Sequence, residues 1–462
     1  MVIPCLFRPL LLVTSRPSAG CQFGQLLRSL TRISNPSPQP DVMKIDTPAF
    51  KSLFTPQLLK VNRLFTKHGW ELRFAGGAVR DLMMNRVPAD VDLATTATPQ
   101  QMQHMFGEEG VRLLNKGGEK HGTVTCRIDD AANFEITTLR IDLVCDGRHA
   151  EVAFTTDWYL DASRRDLTIN SMFLDFEGTV YDYFGGIKDL EKCRVAFVGD
   201  PVQRIKEDYL RILRYFRFYG RIAKDEDSHE HETVEAIKKT AEGLKTISRE
   251  RIWSELKRIV VGRFAGPVLR RMLELGLAKY MDLPDECDID EFLRVSARCN
   301  HLSPQPMTVM SALLQTEDEV LELSLRLKMS NLERLLGVFI ITHRDDSLPE
   351  DHAKRQKIFQ DLFLDQGGDR DPHARERILE LLKYRGLVDL IEPLKTWDPP
   401  KMPVNGSMII LEGGVKKGPA VKMVLAHLFQ LWKDSDYRMN KEELMDRISD
   451  AIPEERKQEC FS

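Results

Sequence analysis

Asp90 and Asp92 stand two residues apart in VPADVDLA, a segment that turns at Val87-Pro88 and then reads as a strand. Side chains alternate along a strand, so this spacing sends both carboxylates to one face. Like charges that close repel each other unless a cation lies between them. The pair therefore points to a divalent metal, and hard oxygen ligands suit magnesium held jointly with a substrate phosphate. Upstream, a strand-like start (Leu72, Phe74, Ala75) meets Gly76-Gly77, and a helix-like segment follows from Ala78 to Met84. A backbone without side chains at a helix start, with its N–H groups unpaired, favours an anion. Arg80 and Asp81 complete that loop. Alone, a Gly-Gly is usually a turn and a DxD usually solvated charge. In this order they describe strand, phosphate-facing turn, helix and metal-bearing strand.

A second stretch, Glu207 to Arg221 (EDYLRILRYFRFYGR), reads as one helix with Asp208, Arg211, Arg214 and Arg217 at every third position. The bland reading is a solvated face with ion pairs such as Glu207–Arg211. Tyr215, Phe216, Phe218 and Tyr219 interleave with the arginines, which a fully solvated face does not need. A carboxylate accepts from the exocyclic amine of cytosine or adenine, and a guanidinium donates to the ring nitrogen beside it. Asp208 with Arg211 could thus accept C and A and reject U and G, at roughly 1–3 kcal/mol per good contact. Two further features belong with these. Arg164-Arg165-Asp166 opens RRDLTINSMFLDF, an unusually polar lead-in to an apolar strand. Glu135 lies between Phe134 and Ile136 in the strand-like run Asn133–Arg140 and points away from those apolar neighbours. Spacing alone leaves Glu135 equally an exposed strand carboxylate or a partner of Asp90 and Asp92.

GGAVRD followed by DVDLATTATP, then RRD-x-TIN and EDxxR, together resemble the class II tRNA nucleotidyltransferase and poly(A) polymerase family, its animal mitochondrial members most of all. The resemblance implies an α+β chain: an N-terminal nucleotidyltransferase palm of mixed sheet and helices, then an all-α neck, body and tail. It implies metal ligation by Asp90 and Asp92 with Mg²⁺, and an acidic third catalytic position at Glu135. Gly77, Arg80 and Arg165 become triphosphate and ribose contacts, with Asp208, Arg211, Arg214 and Arg217 completing the nucleotide site. Leu167 stands where the family commonly has Phe, an apolar exchange. Ile141 to Phe154 matches a flexible loop near the family's active site, making Arg148 and His149 transient contacts. The implied activity is template-independent addition of C, C and A to the 3′ end of tRNA from CTP and ATP. A poly(A) polymerase of the same superfamily and a catalytically inactive RNA-binding protein are the alternatives.

The elements that must position these groups follow from patterning. Phe50–His68 reads as an amphipathic helix, Thr98-Pro99 as a helix start, and Gly122–Ile128 as a strand. Asp182–Leu190 reads as a linker leaving the palm. Beyond Thr233 helical periodicity dominates, with Ser248 as an N-cap and helices over Gly266–Met281, Met307–Thr342, His352–Asp365 and Ala374–Trp397. Ser228-His229-Glu230-His231 is read as a solvated turn and not a metal cluster. Asp398–Gly406 is a Pro-rich break, after which Gly413–Pro419 is a basic, glycine-lined helix start that either grips RNA phosphate or simply turns. The expected divisions are residues 1–41 (leader), 42–190 (head), 191–262 (neck), 263–400 (body) and 401–462 (tail, tRNA-binding).

A formal charge of −4 means that any RNA contact comes from a local basic face, not from the whole-molecule field. Eight scattered cysteines without a CxxC pair argue against a zinc ribbon or disulfide framework. No apolar run is long enough to span a bilayer, so no membrane partner is expected. Residues 1–40 carry Arg8, Arg16, Arg28 and Arg32, several serines and no acidic residue, the composition of a mitochondrial transit peptide. Met43 is a candidate second start for a cytoplasmic or nuclear form. The sequence leaves the oligomeric state open.

Overall fold

Short runs of alternating burial build the N-terminal part of the chain, as in Thr123–Ile128, where every second residue is buried. The computed structural model describes residues 37–114, 118, 122–145, 150–284, 286–453, 455 and 460. Most of the expected leader, and the candidate contacts Arg148 and His149, lie outside these residues. The described chain divides into two compact units: the first runs to Lys192 and includes Ala196–Gly199, and the second comprises Cys193–Val195 and Asp200 onward.

Ten strands belong to the first unit: β1 (Asp41–Lys44), β2 (Leu72–Ala75), β3 (Asp92–Thr95), β4 (Arg112–Leu114), β5 (Thr123–Ile128), β6 (Ala132–Thr138), β7 (Arg140–Cys145), β8 (Ala150–Phe154), β9 (Phe173–Leu174) and β10 (Thr179–Asp182). Eight form a mixed sheet in the order β1-β10-β9-β2-β3-β6-β5-β4, and β7 and β8 form a separate ribbon. β3 runs parallel to β6 and antiparallel to β2. Asp41 already pairs with Asp182, so the folded sheet begins inside the range expected for the leader.

The two faces of the sheet bury different groups. Leu93, Phe74 and Ile136 pack on one side with Phe65, Met102 and Phe106 from helices α2 (Pro56–Lys67) and α4 (Pro99–Glu108), numbered after α1 (Pro48–Lys51) and α3 (Gly77–Met83). Ala75, Ala94 and Phe173 face the other way, against Trp158 and Ala162 of α5 (Trp158–Ser163). α4 starts as its sequence dictates. The Thr98 side chain accepts from the Gln101 N–H, the Gln101 side chain accepts from the Thr98 N–H, and Pro99 supplies the first helical residue. The single helix expected over Phe50–His68 instead forms as α1 and α2. Thr55 precedes a proline, is held extended, and caps a new helix. Likewise the linker expected at Asp182–Leu190 contains a helix, α6 (Gly186–Glu191), within the first unit.

The second unit opens with α7 (Pro201–Glu207), α8 (Arg211–Ile222), α9 (His231–Thr240) and α10 (Arg249–Val260). Helices continue to the C-terminal region. His352–Asp365 forms as the periodicity predicts. Met307–Thr342 breaks into Pro306–Met310, Glu317–Arg326 and Asn331–His343, because Thr316 and Ser330 each cap a fresh start. Ala374–Trp397 breaks at Gly386, whose left-handed backbone ends the helix Ala374–Arg385. Two apolar clusters sit in this half, one around Phe359, Phe363 and Leu381, the other around Ile409, Leu428 and Trp432. Among the described residues no helix is long and apolar enough to cross a membrane.

Candidate active site

In the first unit the glycine turn, the carboxylate strands and the RRD segment converge at one end of the sheet. Gly76 has φ +61° and ψ −120°, a conformation that a side chain strains. A Cβ at Gly76 would also come 2.9 Å from Arg165 Nη1. Gly77, the first residue of α3, has only ordinary contacts near the same position, with Arg80 Nη2 3.6 Å away. Gly76 is therefore the sterically demanding member of the pair.

The expected Asp90–Asp92 strand needs a correction: β3 begins at Asp92, and Asp90 lies in the bend before it. Both are exposed. Desolvation around the Asp92 carboxyl pushes its pKa above the usual carboxylate range; Arg165 pulls it down and Asp90 pushes it up. Asp92 thus feels both Arg165 and Asp90. Glu135 is the parallel-register partner of Asp92, and the next pair, Leu93 and Ile136, is buried in one core. Asp92 and Glu135 consequently project from the opposite face, where both side chains are exposed. Among the described residues, no three His, Cys, Asp or Glu side chains form a ready-made metal cage. Two carboxylates whose like charges repel suit a divalent ion that completes its shell with water and substrate phosphate.

The arginines are held more firmly than spacing alone suggests. Arg80 is 3% exposed; its Nε and Nη2 donate to Asp81 Oδ1 (3.0 and 2.9 Å) and its Nη1 donates to Asn170 Oδ1 (2.5 Å). It forms the floor of the glycine turn and is not an open surface cation. Arg165 Nη1 donates to the Asn170 carbonyl (3.2 Å), and its guanidinium lies 4.8 Å above the Phe173 ring centre. Asn170 therefore ties both arginines together, and its Nδ2 donates to Asp166 Oδ1 (3.3 Å). Sequence reasoning missed Asn170 as a hub and missed Asp161 entirely. The signal for Asp161 was its spacing: three and four residues before Arg164 and Arg165 at the end of a helix.

In the second unit the helix expected over Glu207–Arg221 is two helices. Asp208 is extended (φ −153°, ψ 105°) and ends α7, while Arg211 begins α8. The Asp208 carboxylate turns the chain by accepting the Leu210 N–H through Oδ1 (3.1 Å), an Asx turn that competes with helix. Its Oδ2 accepts from Arg251 Nη2 (2.7 Å), so its ion-pair partner is Arg251 and not Arg211. Arg211 Nη1 donates to Glu207 Oε2 (2.6 Å) and to the Arg204 carbonyl (2.9 Å). Arg214 and Arg217 follow along α8 with Phe218 beside both, at 5.6 and 4.4 Å, and Arg217 pairs with Glu255 at 3.0 Å. Behind the helix the reading of His229 as solvated is overturned. Its side chain is fully buried, stacks on Tyr219 at 3.8 Å and shares a 2.9 Å hydrogen bond with the Tyr215 hydroxyl. Burial holds its pKa down at about 4, outweighing the opposite pull of Asp227. Ser248 occupies the N-cap position of α10, but its side chain makes no capping bond.

Residues 72–196 match the family described as the poly A polymerase head domain, and residues 229–284 match a probable RNA and SrmB-binding site of polymerase A. The chain is 49% identical over 407 residues to the mouse protein "CCA tRNA nucleotidyltransferase 1, mitochondrial", covering 88% of this chain and 93% of that one. Its human counterpart is 48% identical over 424 residues, covering 92% and 96%. The crystal structure of the Bacillus stearothermophilus CCA-adding enzyme in complex with CTP superposes with a TM-score of 0.70 at 26% identity, over 90% of this chain and 99% of that one. A Thermotoga maritima CCA-adding enzyme complexed with tRNA shares the fold at a TM-score of 0.58 and 16% identity, over 90% and 100%. With that identity sustained across nearly the whole of both chains, and a mixed-sheet palm followed by helices, this chain belongs to the CCA tRNA nucleotidyltransferase family.

Proposed function

We propose that this chain adds C, C and A stepwise to the 3′ end of tRNA, consuming CTP and ATP and releasing pyrophosphate. The tRNA 3′ oxygen bonds to the α-phosphorus of the nucleotide while the bond to the pyrophosphate oxygen breaks. Asp90 and Asp92 are the residues that would hold a divalent ion, taken here as Mg²⁺, with Glu135 as a third carboxylate on that face. When bound, the ion supplies charge neutralisation and a more acidic attacking hydroxyl. The remaining work falls to the chain's own groups. Gly77 leaves room for the triphosphate, Arg165 contacts phosphate and ribose, and Arg80 stiffens the turn from below while adding its charge. Positioning and charge compensation carry most of the rate in such transfers.

Base choice falls to the second unit. A carboxylate has about four acceptor sites, so Asp208 keeps capacity for an exocyclic amine while held by Leu210 and Arg251. Arg211 donates to the neighbouring ring nitrogen. Arg214 and Arg217 extend the same helix face. The expected neck, body and tail divide the helical half by role, the tail gripping tRNA.

The observation that supports the reading most is Asn170, which joins Arg80 and Arg165 against the glycine turn through two different atoms. The transit-type leader, and the word "mitochondrial" in the names of its relatives, favour mitochondrial placement. A form starting at Met43 would lose Asp41 and Val42 from the edge strand β1. The functional test gives purified protein a tRNA lacking its terminal trinucleotide, with Mg²⁺ and each NTP singly or mixed. CTP alone should add two residues, and CTP with ATP should add three and stop. A ladder of adenosines from ATP alone would identify a poly(A) polymerase instead, and no extension would leave only RNA binding.

A further inference from the structure

We infer that Asp161 is a positioning residue for nucleotide addition: it fixes the Arg165 guanidinium against the glycine turn and ties it to the root of the β7–β8 ribbon. This rests on the reading of Arg165 as the triphosphate contact. Asp161, the fourth residue of α5, is 1% exposed, whereas the carboxylates Asp90, Asp92 and Glu135 face solvent. Its Oδ2 accepts from Arg165 Nε (3.2 Å) and Nη2 (3.0 Å), a forked pairing that sets the plane of the guanidinium as well as its place. Its Oδ1 accepts from Arg164 Nε (2.9 Å) and Nη2 (2.7 Å), and from the backbone N–H of Arg140 (3.1 Å).

Arg165 is bounded on its other sides too. Its third nitrogen donates to the Asn170 carbonyl, the Phe173 ring lies under it, and the bare Gly76 backbone lies where a Cβ would touch Nη1. Removing the Asp161 fork frees the only acidic contact on Nε and Nη2 among these partners. Arg140 is the first residue of β7, so one carboxylate joins the start of the ribbon to the phosphate-facing arginine. Burial alone would raise the Asp161 carboxyl, but Arg165 and Arg164 hold it below the usual range, so it stays ionised in the neutral region. A lysine at position 165 could not repeat this arrangement, because its ammonium lacks the planar fork.

The test is a double-mutant cycle read by the KM for CTP and the single-turnover rate at saturating tRNA. Four proteins are compared: wild type, Asp161→Asn, Arg165→Ala and the double variant. Thermal unfolding and tRNA affinity are measured on each. Arg165→Ala should raise the KM for CTP by about tenfold or more, and Asp161→Asn by about fivefold, with tRNA affinity kept. The double variant should match Arg165→Ala within about twofold, because Asp161 acts through that arginine. If the two losses multiply, or if folded Asp161→Asn keeps a native KM, the positioning role is overturned while the triphosphate reading stands. A native KM in Arg165→Ala overturns the triphosphate reading itself, and the inference with it. Should Asp161→Asn fail to fold, Asp161→Glu keeps the charge and lengthens the fork by one methylene. It is expected to fold with a raised KM, and a native KM there counts against the inference.

Discussion

At the scale of single residues, the site depends on atoms that the sequence shows only indirectly. Gly76 is required twice, by its positive φ and by the 2.9 Å approach of Arg165 Nη1 to where a Cβ would lie. Gly76→Ala should therefore cost about 1–3 kcal/mol in stability through backbone strain. It should also weaken CTP binding by displacing Arg165, as equilibrium unfolding and KM measurements would report; a variant as stable and as tight as wild type would refute the steric argument. The sequence made the acidic pair, the glycine turn and the arginines legible because each is a short local pattern. It did not make Asn170 or Asp161 legible as hubs. Asn170 meets Arg80 across 90 residues of chain, and no spacing rule reaches that far. It also gave no warning that Arg80 would be buried, since an arginine about one turn beyond a glycine loop reads as exposed.

At the scale of elements, periodicity identified strands and helices well and breaks poorly. The helix through Glu207–Arg221 is the instructive case. Every residue there tolerates helix, yet Asp208 accepts the Leu210 N–H and extends the backbone, separating α7 from α8. The competition between a side-chain acceptor and the helical ladder decides it, and composition does not record which one wins. The turn is braced from outside: the Tyr209 ring occupies the space over Gly243, where an added Cβ would lie 2.0 Å from the ring. Gly243→Ala should push Tyr209 and, with it, the Asp208 turn, so that UTP is incorporated more readily relative to CTP. Misincorporation assays with single NTPs would show this, and unchanged discrimination would separate the turn from base choice. The same logic reaches His229 behind α8. A histidine whose folded pKa is depressed contributes stability that is present above its ordinary value of 6.5 and lost as the pH falls toward about 4. The helical unit should lose stability across that window, and His229→Phe should flatten the loss. A wild-type acid profile identical to that of the variant would contradict it.

At the scale of the whole molecule, the chain separates into a sheet-based unit with the carboxylates Asp90, Asp92 and Glu135 and a helical unit with the Asp208 turn proposed to read the base. The sequence reads in the same order of classes, a mixed sheet first and helices after, because strand patterning gives way to helical patterning along the chain. With a net charge of −4, affinity for tRNA has to arise from local basic surface. The measurement that tests the central claim most directly is extension of a tRNA lacking its terminal trinucleotide by Asp92→Ala, with tRNA affinity determined on the same protein. The account predicts that extension falls by at least about a thousandfold, on the scale of losing metal-assisted charge stabilisation, while the dissociation constant for tRNA stays within a few-fold of wild type. Extension near the native rate would contradict it.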